Sequence, residues 1–402
     1  MTLSRNASPK ADSPLGRSHA PLAFALLAAL PLTACGPTEQ ATSEGASAPW
    51  STRSQSTTTA AGAPSMHLDT DASRDPVLAR PAPRDTQRIA AVAADPQTLR
   101  TQAIEVVRTA SGSSSALLRA HAIEALGSTP KEFDSIVGRG LVDENRGVRF
   151  VAAMSIAKAK RRELVHLVEP LLTDDSLSVR AAALAALATC GRRPDLTPLA
   201  AMVRADDPEV RANAYLALGV IGPELGGASA IPMVRESVGQ GLPLADTARV
   251  KVIELQAAEC LVRLGRSEEI EPIRAALFAP SEQAEVTALA CQIIGRLKDG
   301  RSRPMLERLV EADGTSARPN EIRLIALEAL ARLGVDPTRI VPVASSFLAS
   351  RQASQRAQAA MAIGASGDPS SLGFVAPLLE DPDPIVRVAA AAAILEATST
   401  AR

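Results

Sequence analysis

Aromatic side chains are nearly absent from this chain. Among 402 residues there are six Phe, one Tyr and one Trp, although hydrophobic residues make up 46%. Large globular cores use rings as bulk filler, so burial here falls to Ala, Leu, Val and Ile, which suit thin, closely stacked helices. Cysteine is scarce as well. Four residues in a chain of this length exclude a disulfide scaffold. An excess of one charge is also missing. The 43 basic and 44 acidic residues give a net charge of −1, which excludes a generally basic nucleic-acid binder and a strongly acidic tail. The chain has no CxxC, GxSxG, Walker-type or GxGxxG pattern. Histidine numbers four, and none is followed by Glu. No catalytic residue, metal ligand or cofactor-binding residue is therefore assigned.

The N-terminus reads as an address. Arg5, Lys10 and Arg17 precede LAFALLAAL, an apolar run from Leu22 to Leu30. A stable bilayer span needs about 20 apolar residues, whereas a secretory signal core needs about 7–15. Leu32-Thr33-Ala34-Cys35 follows directly. This resembles the lipobox of bacterial lipoproteins. The resemblance implies that residues 1–34 are a signal peptide and that Cys35 is lipidated on its sulfur, becomes the mature N-terminus and anchors the chain to the cell envelope. Several acyl chains hold a protein to a membrane stably where one holds it only marginally. Position 36 is Gly rather than the Asp that marks inner-membrane retention in lipoproteins, which favours the outer membrane. The leader has no Arg-Arg pair, so the general secretory route is expected.

Residues 35–85 are rich in Ser, Thr, Ala and Pro and lack apolar periodicity. Such a stretch cannot bury a core and reads as a disordered tether. A flexible chain of about 50 residues spans roughly 40 Å. Trp50 stands isolated within it, as a docking residue or simply an exposed ring.

From residue 86 to 402 the sequence repeats itself. Nine anchor positions recur: Arg119, Arg149, Arg180, Arg211, Glu254, Thr287, Arg323, Arg356 and Arg387. Three residues after each anchor stands Ala, and seven residues after each stands Leu or Ile. Offsets of three and seven share one helical face, so the Ala admits a neighbouring helix and the Leu or Ile fills the seam. Four residues before the anchor stand Ser115, Asn145, Ser176, Asp207 and Asp383, which are good N-caps. Eleven residues after it stand Gly191, Gly222, Gly265, Gly334 and Gly367, which suit a C-cap. Between these helices lies a second class carrying Pro170, Pro198, Pro232, Pro272, Pro304, Pro342 and Pro377. These prolines are expected in or near the first turn, where a missing N–H matters least.

The unit is thus helix–turn–helix at about 31 residues, and the fold class is all-α. The blocks DDSLSVRAAALAALATCG, DDPEVRANAYLALGVIG and EDPDPIVRVAAAAAILEA resemble HEAT repeats of the short type found in phycobilisome lyases. The resemblance covers residues from about 96 to 397. It implies a right-handed α-solenoid of about nine units with the second helices on the concave side. Helices about 9–10 Å apart would give an arc of very roughly 80–90 Å, long and thin, with contacts only between neighbouring repeats.

Asp143, Asp174 and Asp381 lie six residues before their anchors and Asp206 five before. By the same resemblance, the Arg and Asp rows form a ladder tying one repeat to the next. An Arg row can also grip phosphate or carboxylate. Glu254 and Thr287 interrupt it, beside the irregular spacing of 43 residues around 222–245. That stretch reads as a longer inter-helix loop or as a hinge for docking. Cys190, Cys260 and Cys291 read as buried thiols; a Cys260–Cys291 disulfide is conceivable, but their positions are offset. Deoxyhypusine hydroxylase, a HEAT-like enzyme, holds two irons through His-Glu pairs, which are missing here. These readings lead to a non-enzymatic, membrane-anchored scaffold binding a protein partner, with no nucleic acid and no cofactor. The alternatives are an extracytoplasmic ligand-binding lipoprotein and a lyase-like protein that has or regulates enzyme activity.

Overall fold

The computed structural model describes residues 95–127, 130–241, 247–311 and 318–400. The leader, Cys35, the tether and Trp50 lie outside the described residues. Among the described residues there is no strand, and 18 α-helices follow in chain order.

The even-numbered helices are the anchor helices: α2 (Ala116–Ala125), α4 (Arg146–Ala159), α6 (Leu177–Thr189), α8 (Pro208–Ile221), α10 (Thr247–Arg263), α12 (Ala284–Leu297), α14 (Asn320–Arg332), α16 (Ala353–Ala365) and α18 (Pro384–Thr400). The Ala three residues after the anchor is fully buried in all nine, and the Leu or Ile seven after it is at most 3% exposed. Asn145, Ser176 and Asp207 accept hydrogen bonds from the first-turn N–H groups of their helices. The five Gly residues eleven after the anchor all have positive φ. In two further repeats Lys160 (φ 52°) and Lys298 (φ 55°) take that position and adopt the same left-handed conformation. The turn geometry is therefore kept even without the residue that favours it.

The odd-numbered helices run between them: α1 (Pro96–Ser111), α3 (Pro130–Gly140), α5 (Val165–Val168), α7 (Thr197–Met202), α9 (Ile231–Gly239), α11 (Ile270–Ala276), α13 (Arg303–Glu311), α15 (Pro337–Ser345) and α17 (Leu372–Val375). From α5 on they are short, at most nine residues, and each carries a proline within it or in the 3-10 segment that continues it. Pro170 and Pro377 each open a 3-10 segment, Glu169–Thr173 and Ala376–Glu380, that continues α5 and α17. Pro342 departs from the first-turn expectation and sits inside α15. The wide spacing around 222–245 resolves into Gly222 and Gly226 at positive φ, a 3-10 turn over Gly227–Ala230, and then α9.

The anchor helices pack in sequence, each against the next, as expected. The ends do not stay apart. α18 packs against α16 on one side and against α1 and α2 on the other. At that closing seam Arg100 Nη1 donates to Thr398 Oγ1 at 2.8 Å and reaches the carbonyl of Leu395 at 3.5 Å. The array therefore closes on itself. This corrects the expectation of a long, thin arc with contacts only between neighbouring repeats. Closure removes the two exposed apolar ends that an open solenoid must cap, and one continuous hydrophobic core includes residues of both α1 and α18.

Candidate functional site

Closure turns the anchor helices inward, and the residues two, five and nine after each anchor share the face toward the ring centre. In α6 and α16 that face is partly apolar, with Ala182, Ala185, Met361 and Ala365. In α2, α4, α10, α12, α14 and α18 it carries Glu124, Lys158, Glu259, Arg263, Arg296, Glu328, Arg332 and Glu396.

These charges form two clusters. In the first, Glu259 accepts from Arg263 at 2.8 Å within its own helix and from Arg296 of the next repeat at 2.6 Å. Burial alone would raise the Glu259 carboxyl, but the two guanidinium groups hold it down at about 2. Lys158, from α4, is pushed down to about 8 by burial, with Glu124 opposing and Arg296 and Arg263 adding to the shift. Side chains of repeats 1, 2, 5 and 6 thus share one electrostatic environment. In the second cluster, Arg332 lies between Glu328 at 2.8 Å and Glu396 at 2.6 Å, so α14 is tied to α18 two repeats on. Burial raises Glu396, and the neighbouring carboxylate of Glu328 adds to it against the pull of Arg332. A single cation shared between two carboxylates does not offset that burial.

Small residues let the inner helices approach where these long side chains lie. Gly219, Gly295 and Gly364 each stand eight residues after an anchor. A Cβ on Gly219 would meet Arg263 Cδ at 3.0 Å, and one on Gly295 would meet Ala329 Cα at 3.2 Å. At Gly364 the backbone of Ala393 would be only 2.5 Å away.

The Arg and Asp rows lie at the other end of the anchor helices. Arg119 makes a two-pronged pair with Asp143, both contacts at 2.7 Å, and Arg149 and Arg356 do the same with Asp174 and Asp381. In each case Nη1 donates to a carbonyl six residues before the Arg. Each Asp also accepts the N–H two residues on and so shapes the entry to the next anchor helix. The carbonyl of Asp143 accepts from Arg149, and that of Asp381 from Arg387. Burial works against these carboxylates, yet the Arg hydrogen bonds keep Asp143, Asp174 and Asp381 below the usual range.

Asp206 is not such a partner. The position 25 residues after Arg180 is Ala205, Asp206 is exposed, and Arg180 Nε is buried without a hydrogen-bond partner. A one-residue offset points the carboxylate away. Arg211 and Arg323 are buried and donate to backbone carbonyls: Arg211 to those of Ala205, Ser237 and Gly241, and Arg323 to that of Val310. Where Glu254 and Thr287 break the row, a different pair stands in. Arg274 of α11 binds Asp299 at 2.6 and 2.8 Å. That pair lies outside the anchor register, and only its spacing of 25 residues signals it.

The sequence profile of HEAT repeats matches residues 139–219, 171–243 and 314–395. Those segments carry HEAT repeats, and the rest of the array repeats the same helix–turn–helix unit. The HEAT array is similar to the complex of CpcE and CpcF of phycocyanin lyase from Nostoc sp. PCC7120, at 18% identity and a TM-score of 0.37, covering 66% of this chain and 98% of that one. It is similar to human deoxyhypusine hydroxylase at 16% identity and a TM-score of 0.34, covering 66% and 96%. It is also similar to the karyopherin Kap121p bound to the extreme C-terminus of the protein phosphatase Cdc14p, at 14% identity and a TM-score of 0.31, spanning 73% of this chain and 37% of that one. No curated protein matches the sequence.

Among the described residues, no group of three or more His, Cys, Asp or Glu could hold a metal ion in the HEAT array. His121 is buried, its Nδ1 3.4 Å from Glu124 Oε2, while His166 is exposed on another repeat. Cys190, Cys260 and Cys291 are free and buried, so the conceivable Cys260–Cys291 bridge is not formed. Burial pushes the Cys291 thiol up to about 12 and Cys260 higher still. The inward charge clusters were missed in the sequence. Their signal is an ionisable residue five or nine after the anchor, legible only once the inward face is known to be enclosed.

Proposed function

We propose that this chain is a membrane-anchored HEAT-repeat scaffold that binds a protein partner and carries no enzymatic activity of its own. The anchor is Cys35, read from Leu32-Thr33-Ala34-Cys35, and residues 35–85 give reach from the envelope. One observation carries the binding reading. Among the described residues, four of the six large apolar side chains left in solvent belong to adjacent repeats: Val142, Leu167, Leu172 and Leu177. Val142 is 82% exposed, and Glu144 and Asp175 stand beside this set, exposed at 87% and 90%. Apolar residues rimmed by charge are what a docking surface offers. Closure encloses the concave side and lines it with long charged side chains, so the partner docks on the outside of the ring.

The test is an in-cell crosslink of tagged protein, purified from membranes and read by mass spectrometry. A discrete protein crosslinked to the array, lost in Val142→Asp/Leu172→Asp and kept in Leu225→Asp, is expected. Cys35→Ala should release the chain into the soluble fraction. A purified protein that turns over a substrate, or a partner indifferent to the Val142/Leu172 change, contradicts the reading. A second reading, ligand binding, is favoured by a specific feature of the inner face.

A further inference from the structure

Glu259 is fully used: Oε1 accepts from Arg263 Nε and Nη2 and from Arg296 Nε, and Oε2 accepts from Arg296 Nη2. Arg296 Nη1 is left buried with no hydrogen-bond partner, and its side chain is only 13% exposed. Lys158, half-buried at the matching position of α4, has no hydrogen bond or ion pair within the described residues. The group holds three cations against the two carboxylates of Glu259 and Glu124. A buried guanidinium N–H without an acceptor is costly, and so is an unpaired ammonium.

We propose that Lys158 and Arg296 together hold a small oxyanion, a phosphate or a carboxylate, inside the ring. Arg296 Nη1 and Lys158 Nζ both donate to it, and its negative charge balances the surplus cation. An ammonium and a guanidinium facing one acceptor favour a group with several oxygens over a monatomic ion. The low exposure of the site strengthens each charge-assisted bond relative to the same bond in water. Burial, together with the two Arg neighbours, holds the Lys158 ammonium down at about 8, and a bound anion raises it again.

The full chain is titrated with sodium phosphate and, separately, sodium acetate, against sodium chloride at matched ionic strength. Two readouts are followed: the melting temperature, and the 31P line width of phosphate for direct contact. Saturable stabilisation by phosphate, acetate or both beyond chloride is expected, since a ligand that binds only the folded state stabilises it by mass action. The two salts separate phosphate from carboxylate as the natural group. Lys158→Met and Arg296→Gln should each abolish the response, and Arg108→Gln, at an exposed position of α1, should leave it intact. If neither salt exceeds chloride in the unaltered chain, or if the response survives in both variants, the proposal is overturned. Should the variants fail to fold, the unaltered chain alone decides through its melting temperatures, with the phosphate line width as the check on contact.

Discussion

Individual residues at one register position show how the fold is enforced. Lys160 and Lys298 hold a left-handed conformation that five other repeats assign to Gly. Both are exposed, so their side chains contribute little packing. Lys160→Gly and Lys298→Gly should each stabilise the protein by about 1 kcal/mol, read by urea unfolding. Asp143→Asn should act the other way. It leaves Arg119 and the N–H of Asn145 with a weaker acceptor, at roughly 1–3 kcal/mol. The ladder carboxylates are held below their usual value of 3.8. Their contribution is therefore complete above the unfolded value and is lost as pH falls through the lower folded ones. Asp143→Asn should accordingly flatten the acid limb of the stability–pH curve. Lys158 has the opposite sign. Its folded pKa of about 8 lies below the ordinary lysine value of 10.5, so the unfolded chain binds the extra proton and stability rises with pH between those values. In anion-free buffer Lys158→Met should stabilise at pH 7, on the order of 1–3 kcal/mol, and the gain should fade above pH about 10.

At the scale of helices, small residues decide how closely neighbours approach. Gly364 admits α18 so tightly that Gly364→Ala must displace the backbone at Ala393. A loss of about 1–3 kcal/mol is expected, and Ala214→Leu or Ala359→Leu should be comparable. Ala60→Leu, outside the repeats, should change nothing measurable; equal effects at all these sites would refute the register. This register was legible from sequence because the anchor, Ala and Leu/Ile offsets recur nine times and each outcome follows from helical geometry. The caps were legible for the same reason. What escaped was pairing that depends on rotation about the ladder by one residue. Asp206 stands one residue off the register of Asp174, and the ladder needs the carboxylate at the position Ala205 occupies. The Arg274–Asp299 pair escaped because Arg274 lies on a helix of the other class.

At the scale of the whole molecule, closure is the feature that local pattern did not announce. Each repeat fixes its contact with the next, and small rotations accumulate around the array. Whether nine such steps return to the start depends on an angle that no single motif encodes. The inward clusters were illegible for that reason: Lys158 and Arg296 belong to repeats far apart in sequence, and only closure gives them a common environment. The most direct test of the account is a distance between the first and last helices. Spin labels at Thr101 of α1 and Ser399 of α18, read by pulsed electron resonance on the full chain, measure it. Closure predicts one narrow distribution below about 25 Å, since packed helices lie about 10 Å apart. An open array of nine units would place the labels roughly 60–90 Å apart, and a distribution centred there would contradict the closed ring.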